Sequence, residues 1–341
     1  MADEKSAAAR FDVAGIGNAI VDVLARTSDA ALQHLGLEKG AMTLVDRARA
    51  ETLYREMGPG IECSGGSVAN TIAGIASLGG APAFIGKVKA DALGHVFRHD
   101  IESLGVHFPT RAAEHGPSTA RCLVFVTEDA QRTMQTYLGA CVELGPEDVD
   151  EAAIAGAQVT YLEGYLWDPP RAKEAFLKAA RVAHEAGRKV ALSLSDAFCV
   201  NRHREEFLDL VDGHIDILFA NEAEITALYQ VESFDQALQS VRGHVEIACL
   251  TRSAKGSVVV REGTEGASEL HVIDAAPVKD LVDSTGAGDL YAAGVLYGLT
   301  HGLGLARAGR LGSLCAAEVL SHIGARPEVS LAELAKAHKL V

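Results

Sequence analysis

The sequence lacks the features that mark secreted, membrane or metal-clustered proteins. Its 341 residues include only six cysteines, which lie far apart and form no C-x-x-C pair. This spacing argues against a zinc motif and a disulfide framework, and it favours reduced, buried thiols. No apolar run of about 20 residues and no leader-like segment is present, so we expect a cytoplasmic protein.

Positive charge is scarce as well. The chain has 31 Lys and Arg against 46 Asp and Glu, for a net charge of −15, and no block of consecutive basic residues. Such a surface repels the phosphate backbone of nucleic acids and anionic membranes, so we expect neither as a partner. A small-molecule substrate remains the expected partner. The oligomeric state is left open between a monomer and a homodimer.

The order of apolar segments predicts an α/β fold. Hydrophobic residues make up 48% of the chain, which is enough for a large core. Beyond residue 147, helical segments alternate with short strand-like ones, at Gln158–Glu163, Lys189–Ser195, Ile215–Asn221, Val245–Thr251 and Ser257–Arg261. This alternation predicts a doubly wound, mostly parallel sheet flanked by helices. Ligands of such sheets bind beyond the carboxyl ends of the strands.

A second, smaller unit is predicted from a change of pattern between residues 106 and 142. Strand-like segments at Thr119–Thr127 and Arg132–Leu138, joined by a turn at Glu128–Ala130, indicate a hairpin. With residues 18–45 this region predicts a small β lid, and we assign residues 1–17, 46–105 and 143–341 to the large domain. Met1–Arg10 has the composition of a frayed tail.

The most informative segment is DSTGAGD at residues 283–289, which precedes a long apolar run. Its glycines permit a tight turn with bare amides, and the apolar run predicts a helix, whose N-terminus attracts anions. Asp289, in the first turn, is placed to accept a proton from an attacking hydroxyl, and the helix dipole favours its ionised form. The segment therefore predicts phosphoryl transfer, with Gly286, Ala287 and Gly288 around the phosphate. Helix capping alone explains these residues about equally well.

This segment resembles the C-terminal signature of the ribokinase-type (phosphofructokinase B) family of carbohydrate and nucleoside kinases, with Ser284 in place of a threonine. Residues 65–79, GGSVANTIAGIASLG, resemble the N-terminal signature. The similarity runs from about Phe11 to the C-terminus. The residues of the two motifs are closest to those of bacterial adenosine-kinase-like members. The resemblance implies a ribokinase-like fold and ATP-dependent phosphorylation of a primary hydroxyl, with adenosine to AMP as the leading reaction.

The resemblance also implies where the acceptor binds. Asp22 matches an acidic residue that binds paired sugar hydroxyls, and a carboxylate is able to accept two hydrogen bonds from a diol. Gly65 and Gly66 let a ligand approach the backbone, and Asn70 offers an amide to a hydroxyl. Further candidates for substrate contacts are Asn18, Phe125 and Tyr137. Ordinary sheet packing is the simpler interpretation of the two aromatic side chains.

Two further motifs and one helix are expected on the donor side. Asn221 and Glu224 resemble the family's N-x-x-E motif, which arranges Mg²⁺ and the donor phosphates largely through water, and oxygen ligands suit this ion. A helix capping box would also place Asn and Glu at these two positions. Thr251, Ser253 and Gly256 occupy the family's T-x-G-x-x-G turn near the nucleotide, although a serine replaces the middle glycine. The helix predicted at 305–323 would form a wall of the adenine site.

The implied cofactors are ATP, Mg²⁺ and, through carbonyls near 283–285 and 323–327, a monovalent cation such as K⁺. The same chemistry permits a free sugar such as fructose or ribose, or guanosine or inosine, as acceptor. A non-catalytic nucleoside-binding protein is a remote alternative. A dinucleotide oxidoreductase has less support, because Ile20 follows Gly15-x-Gly17 where the fingerprint requires a third glycine.

Overall fold

The computed structural model describes residues 9–129, 131–263 and 268–341. Residues 1–8 of the predicted tail and Ala130 of the predicted turn lie outside the described residues. The strands are β1 Phe11–Ile16, β2 Ile20–Arg26, β3 Met42–Leu44, β4 Ile61–Gly65, β5 Pro82–Ile85, β6 Ala120–Val126, β7 Arg132–Tyr137, β8 Ala157–Glu163, β9 Lys189–Ser193, β10 Ile217–Asn221, β11 Ile247–Thr251, β12 Ser257–Glu262 and β13 Ser268–Ile273. The helices are α1 Asp29–Leu35, α2 Arg47–Glu56, α3 Ser67–Ser77, α4 Ala92–Ser103, α5 Glu151–Ala155, α6 Pro170–Glu185, α7 Ala197–Arg202, α8 Arg204–His214, α9 Glu222–Tyr229, α10 Phe234–Val241, α11 Ala287–Thr300, α12 Leu305–Val319 and α13 Leu331–Ala337.

The larger sheet has the strand order β13-β12-β11-β10-β9-β8-β1-β5. The six strands from β11 to β5 run parallel, and β12 runs antiparallel to both of its neighbours, β11 and β13. This confirms the predicted mostly parallel sheet. Strand β9 ends two residues before the predicted Ser195, because Ser195 has a φ of 74° and turns the chain towards the cap of α7.

Helices cover both faces of this sheet and bury two hydrophobic cores. One core contains the apolar sides of α6, α8 and α10, and the other contains those of α3, α11 and α12. Helix α6 shows why such segments form helices, since its buried residues recur with the three- and four-residue spacing of one helix face. Within the described ranges, no helix combines the length and hydropathy that crossing a bilayer requires.

The second sheet is small, with the strand order β3-β7-β6-β2-β4. Strands β6 and β7 form the predicted hairpin, and β2 lies parallel to β6. The edge strand β4 comes from the range that we assigned to the large domain, so the sheet includes a strand that the predicted boundary omits. The chain leaves β4 through Gly66, whose φ of 100° turns it directly into α3.

Helix α11 lies at the centre of the fold and is buried on almost every side. Two close helix contacts fix its position. A Cβ on Gly74 of α3 would lie 2.7 Å from Ala293, and a Cβ on Gly294 would lie 2.6 Å from the backbone of Gly312 in α12. Because glycine lets these backbones approach, the N-terminus of α11 is held firmly beside that of α3.

We therefore expect Gly294→Ala to lower the free energy of unfolding by about 1–3 kcal/mol, because its Cβ would press on the backbone of α12. Gly213→Ala in α8 is the matched control, since, apart from its chain neighbours and the backbone of its own helix, no described atom lies within 4 Å of its Cβ position. That helical substitution should instead raise stability by up to about 1 kcal/mol. Urea unfolding measures both effects, and equal shifts in the two variants would contradict the close helix crossing.

Candidate active site

The DSTGAGD loop leads directly into α11, as predicted, through a left-handed glycine. Gly286 has a φ of 78°, and a Cβ there would lie 2.6 Å from the Ala325 side chain. Among the described residues no side chain caps this end, and the first N–H groups of any α-helix have no intrahelical acceptor. The Ala287 N–H makes one long bond of 3.4 Å to the Ser284 carbonyl. Gly288 faces open space, which leaves room for an anion.

Asp289 lies in this first turn and is held by the start of α3. The Ser67 hydroxyl donates to its Oδ1 at 2.6 Å, and the Asn70 amide donates to its Oδ2 at 2.9 Å. Burial raises the pKa of Asp289 to about 6, although these two bonds lower it. The predicted helix dipole favours the ionised form, but the loss of solvent contact on burial has the larger effect on this carboxyl group. At neutral pH the carboxyl still ionises and can accept a proton.

The predicted acceptor residues converge beside Asp289. A Cβ on Gly65 would collide with the Asp22 carboxylate, and one on Gly66 would collide with the Asn18 carbonyl. Burial raises the pKa of Asp22 to about 6, and the nearby charge of Asp289 adds to this effect. The two glycines therefore make the space in which Asp22 and Asn18 sit.

Two buried acceptor atoms at this place lack partners. In the described part of the chain, neither the Asn18 Oδ1 nor the Asn70 Oδ1 receives a hydrogen bond. The amide nitrogen of each is used, by Glu163 and Asp289 respectively. Since buried polar atoms are normally paired, these oxygens are suited to accept hydrogen bonds from the hydroxyls of a ligand.

Glu163 is a site residue that the sequence analysis missed. Its fully buried carboxylate accepts hydrogen bonds from the Asn18 backbone and side chain, at 2.9 and 2.6 Å, and from the Val68 N–H at 2.9 Å. Burial raises its pKa to about 7, and the charge of Asp289 contributes. Glu163 thus joins the end of β8 to the acceptor loop and to the first turn of α3.

Arg326 is a second missed residue, located after α12. Its guanidinium donates to the Ser64 carbonyl at 2.7 and 3.0 Å and to the Ala69 carbonyl at 2.6 Å. Its charge lowers the pKa values of both Asp22 and Asp289, in opposition to burial. A lone Arg in a turn carries no local sequence signal for this role, whereas the buried backbone carbonyls that it satisfies are visible only in the fold.

Asp22 points from one face of the small sheet, and the predicted aromatic side chains, Phe125 and Tyr137, lie on the other face. Side chains alternate along strands, and Asp22 shares its face with its partner Cys122 and therefore with Val124. Phe125 lies on the opposite face, in the core with Leu123. Tyr137 is on that face as well, since it pairs with Arg121. The prediction that Phe125 and Tyr137 flank the substrate is therefore corrected.

Asn221 and Glu224 form a complete capping box at the start of α9. The Asn221 Oδ1 accepts from the Glu224 N–H at 2.9 Å, and Glu224 accepts from the Asn221 N–H at 2.9 Å and from its side-chain amide. Burial raises the pKa of Glu224 to about 7, and the charges of Asp196 and Asp289 raise it further. Within the described residues, no group of three or more His, Cys, Asp or Glu side chains is arranged to hold a metal ion directly.

The T-x-G-x-x-G position lies next to Asn221, because Thr251 is its strand partner on β11. Ser253, which replaces a glycine, adopts a φ of 51°. Gly256 has a φ of 81°, and a Cβ there would collide with the Ile273 carbonyl. The turn therefore keeps a glycine-like backbone despite the serine. Arg252 stacks over Phe234 at 4.1 Å from the ring centre.

Two open clefts adjoin these motifs. One of about 720 Å³ lies beyond β10 and β11, beside Asn221 and Ser253. The other, of about 710 Å³, lies between residues 274–279 and α12. Asp289 lines neither of them, and it lies instead under the small sheet with the acceptor residues.

A first-turn carboxylate beside the bare amides of a helix N-terminus, with unpaired amide oxygens close to it, is chemically suited to phosphoryl transfer to an alcohol. Residues 61–331 match the model of the pfkB family of carbohydrate kinases, and the chain belongs to this family. Membership implies ATP as the phosphate donor.

The proteins whose solved structures resemble this chain are kinases named for different acceptors. A probable sugar kinase protein from Rhizobium etli CFN 42 is 51% identical with a TM-score of 0.90, over 98% of this chain and 100% of that one. An adenosine kinase from Sinorhizobium meliloti is 54% identical with a TM-score of 0.88, over 97% and 100%. A curated relative, the 5-dehydro-2-deoxygluconokinase of Lacticaseibacillus casei, is 28% identical over 76% of this chain and 81% of its own.

The strained backbone at Ser253 yields a prediction. Ser253→Gly should raise the free energy of unfolding by up to about 1 kcal/mol, because relief of the left-handed conformation exceeds the entropy lost with glycine. Ser253→Ala keeps the strain and should show no gain. Thermal unfolding compares them, and the KM for ATP should stay near the wild-type value in Ser253→Gly. A less stable glycine variant would contradict the strain.

Proposed function

We propose that the protein transfers the γ-phosphoryl group of ATP to the primary 5′-hydroxyl of a nucleoside, with adenosine converted to AMP as the leading case. The observation that carries the choice of acceptor is the apolar surface around Asp22. A nucleoside presents a polar ribose and a flat apolar base side by side, and the groups at this site are divided in the same way.

The ribose would be held by the polar half of the site. Asp22 accepts hydrogen bonds from the two vicinal hydroxyls, and the unpaired oxygens of Asn18 and Asn70 offer two further acceptors. Gly65 and Gly66 keep this space free, because any side chain there would fill it. These acceptors suit a ligand that brings several hydroxyl donors.

The base would lie against the apolar half. The Asp22 face of the small sheet carries a separate apolar cluster formed by Ile20, Leu24, Cys122, Val124, Val126, Met134 and Ile323. A free sugar would make no apolar contact with the partly exposed members of this cluster, which are Ile20, Leu24, Met134 and Ile323, and would require further polar groups there. We therefore favour a nucleoside over fructose or ribose, and the sugar-kinase relatives keep a sugar as the second candidate.

The proposed transfer follows from the positions of Asp289 and the α11 amides. Asp289 removes the proton from the 5′-hydroxyl, whose oxygen then forms a bond to the γ-phosphorus. The bond from that phosphorus to the bridging oxygen breaks, and ADP leaves. The Gly286–Gly288 backbone stabilises negative charge on the transferring group, and the dipole of α11 has the right direction for this.

The donor would extend from this hole towards Asn221 and the turn at Thr251, Ser253 and Gly256. Mg²⁺, when bound, neutralises the donor phosphates, and Asn221 and Glu224 would hold it through water. We place the base of ATP in the cleft beside α12, because the wall at residues 274–279 continues into the DSTGAGD loop. The cytoplasmic location and the choice between monomer and homodimer stay predictions.

Asp289→Asn should reduce kcat by about 100- to 10,000-fold, since it removes the general base. The fold should survive, because a flipped Asn70 would turn its unpaired oxygen towards the new amide. In the wild type, kcat/KM should rise with pH through about 6, where Asp22 and Asp289 lose their protons. Steady-state assays with Mg²⁺ and ATP measure both effects, and near-normal turnover of the variant would remove Asp289 from this role.

The acceptor is tested with adenosine, guanosine, inosine, cytidine, ribose and fructose. We expect turnover with nucleosides only, and Met134→Ala should raise the nucleoside KM by about tenfold through loss of apolar contact. Tyr137→Phe, on the same strand but on the opposite face, should leave KM unchanged. Turnover confined to free sugars would replace the proposed acceptor. Nucleoside binding without any turnover would favour the non-catalytic alternative.

A further inference from the structure

A buried ion pair connects the small sheet to the DSTGAGD loop. The Arg132 guanidinium, at the start of β7, lies 2.6 Å from the Asp283 carboxylate, and the two side chains are only 9% and 6% exposed. Arg132 lies on the Asp22 face, since it alternates with Met134 along β7. The pair therefore lies inside the site region, between the two sheets, where it is largely shielded from solvent and salt.

Asp283 has backbone partners as well. Its Oδ1 accepts from the Thr285 N–H at 3.0 Å, and its Oδ2 accepts from the Gly324 N–H at 3.1 Å. The carboxylate thus joins the two segments, 283–285 and 323–327, that the family resemblance implies for a monovalent cation. Both segments are held together here by side-chain chemistry.

A monovalent cation fits this place poorly. Both Asp283 oxygens are engaged, Oδ1 by the Thr285 N–H and Oδ2 by the Gly324 N–H and the Arg132 guanidinium. A metal ion beside Asp283 would also stand next to the Arg132 guanidinium, and two like charges in a buried place repel each other strongly.

We propose that the Arg132 guanidinium is a built-in cation that neutralises Asp283, positions the anion-hole loop and makes phosphoryl transfer independent of K⁺. Arg132 acts here as a positioning residue, through Asp283 and its bonds to Thr285 and Gly324. The proposal rests on the proposed function only for the choice of acceptor in the rate assay. Its stability readout requires no acceptor.

The first test compares the wild-type protein in KCl, NaCl and choline chloride at equal ionic strength and fixed Mg²⁺. We expect kcat values that differ by less than about fivefold, the lower end of ligand coupling effects, and equal thermal midpoints. Stimulation by K⁺ beyond that limit would overturn the proposal. The assay uses whichever acceptor in the panel is turned over, so a wrong nucleoside assignment does not affect this outcome.

The second test uses variants of the pair. Arg132→Met leaves Asp283 buried without its cation, so the thermal midpoint should fall by about 5 °C or more, and KCl but not choline chloride should restore part of it. Arg132→Lys keeps a charge and should stay insensitive to K⁺. Lys39→Met removes the ion pairs of Lys39 with Asp29 and Asp129, which lie away from the Arg132–Asp283 pair, and it should change neither property.

The outcomes of the second test are distinct. A K⁺-dependent midpoint in Arg132→Met, together with its absence in Arg132→Lys, supports the proposal. An Arg132→Met protein with no response to K⁺ would show that the guanidinium does not take the place of a cation. If that variant fails to fold, the wild-type comparison and Arg132→Lys still decide, because a K⁺ response in either contradicts the proposal.

Discussion

Two hydrogen bonds from α3 to Asp289, donated by Ser67 and Asn70, are the contacts on which the rest of the site depends. They join the N-termini of the two central helices at one carboxylate. A third hydrogen bond, from the Val68 N–H to the Glu163 carboxylate, fixes the first turn of α3 to the large sheet. The groups expected to hold the acceptor and the group expected to take its proton are thus parts of one rigid unit. Reactions that depend on close positioning gain most from such rigidity.

The large sheet, the β6–β7 hairpin and α11 could be predicted because each leaves a local pattern in the sequence. Strand–helix alternation and a continuous apolar run depend only on near neighbours in the chain. The strand Ile61–Gly65 has no such pattern, since it is short, half polar and leads directly into the N-terminal signature. It becomes a strand by pairing with Ile20–Arg26, a partner that lies far away in the sequence.

The site shows the same division between local and non-local information. Asp289 and the glycines of both signatures were placed by motif, and the structure brings them together. Glu163 was missed because one carboxylate at the end of an apolar strand gives no sign of which amides it will meet. Phe125 and Tyr137 were assigned to the wrong face because a strand's residues alternate, and only the register with its neighbours decides which set faces the site. The chemical type of each side chain could be read from the sequence, whereas the face of the sheet to which it points could not.

Four buried carboxyl groups of the candidate site make the stability of the fold depend on pH. Asp22 and Asp289 have pKa values raised to about 6, and Glu163 and Glu224 to about 7. Each binds a proton more tightly in the folded chain than in the unfolded one. Their contribution to stability is therefore complete below their unfolded pKa values, near 4, and is lost as the pH rises through 6 and 7. The folded chain therefore holds these four carboxylates at a thermodynamic disadvantage at neutral pH, and the proposed reaction requires one of them, Asp289, to be ionised there.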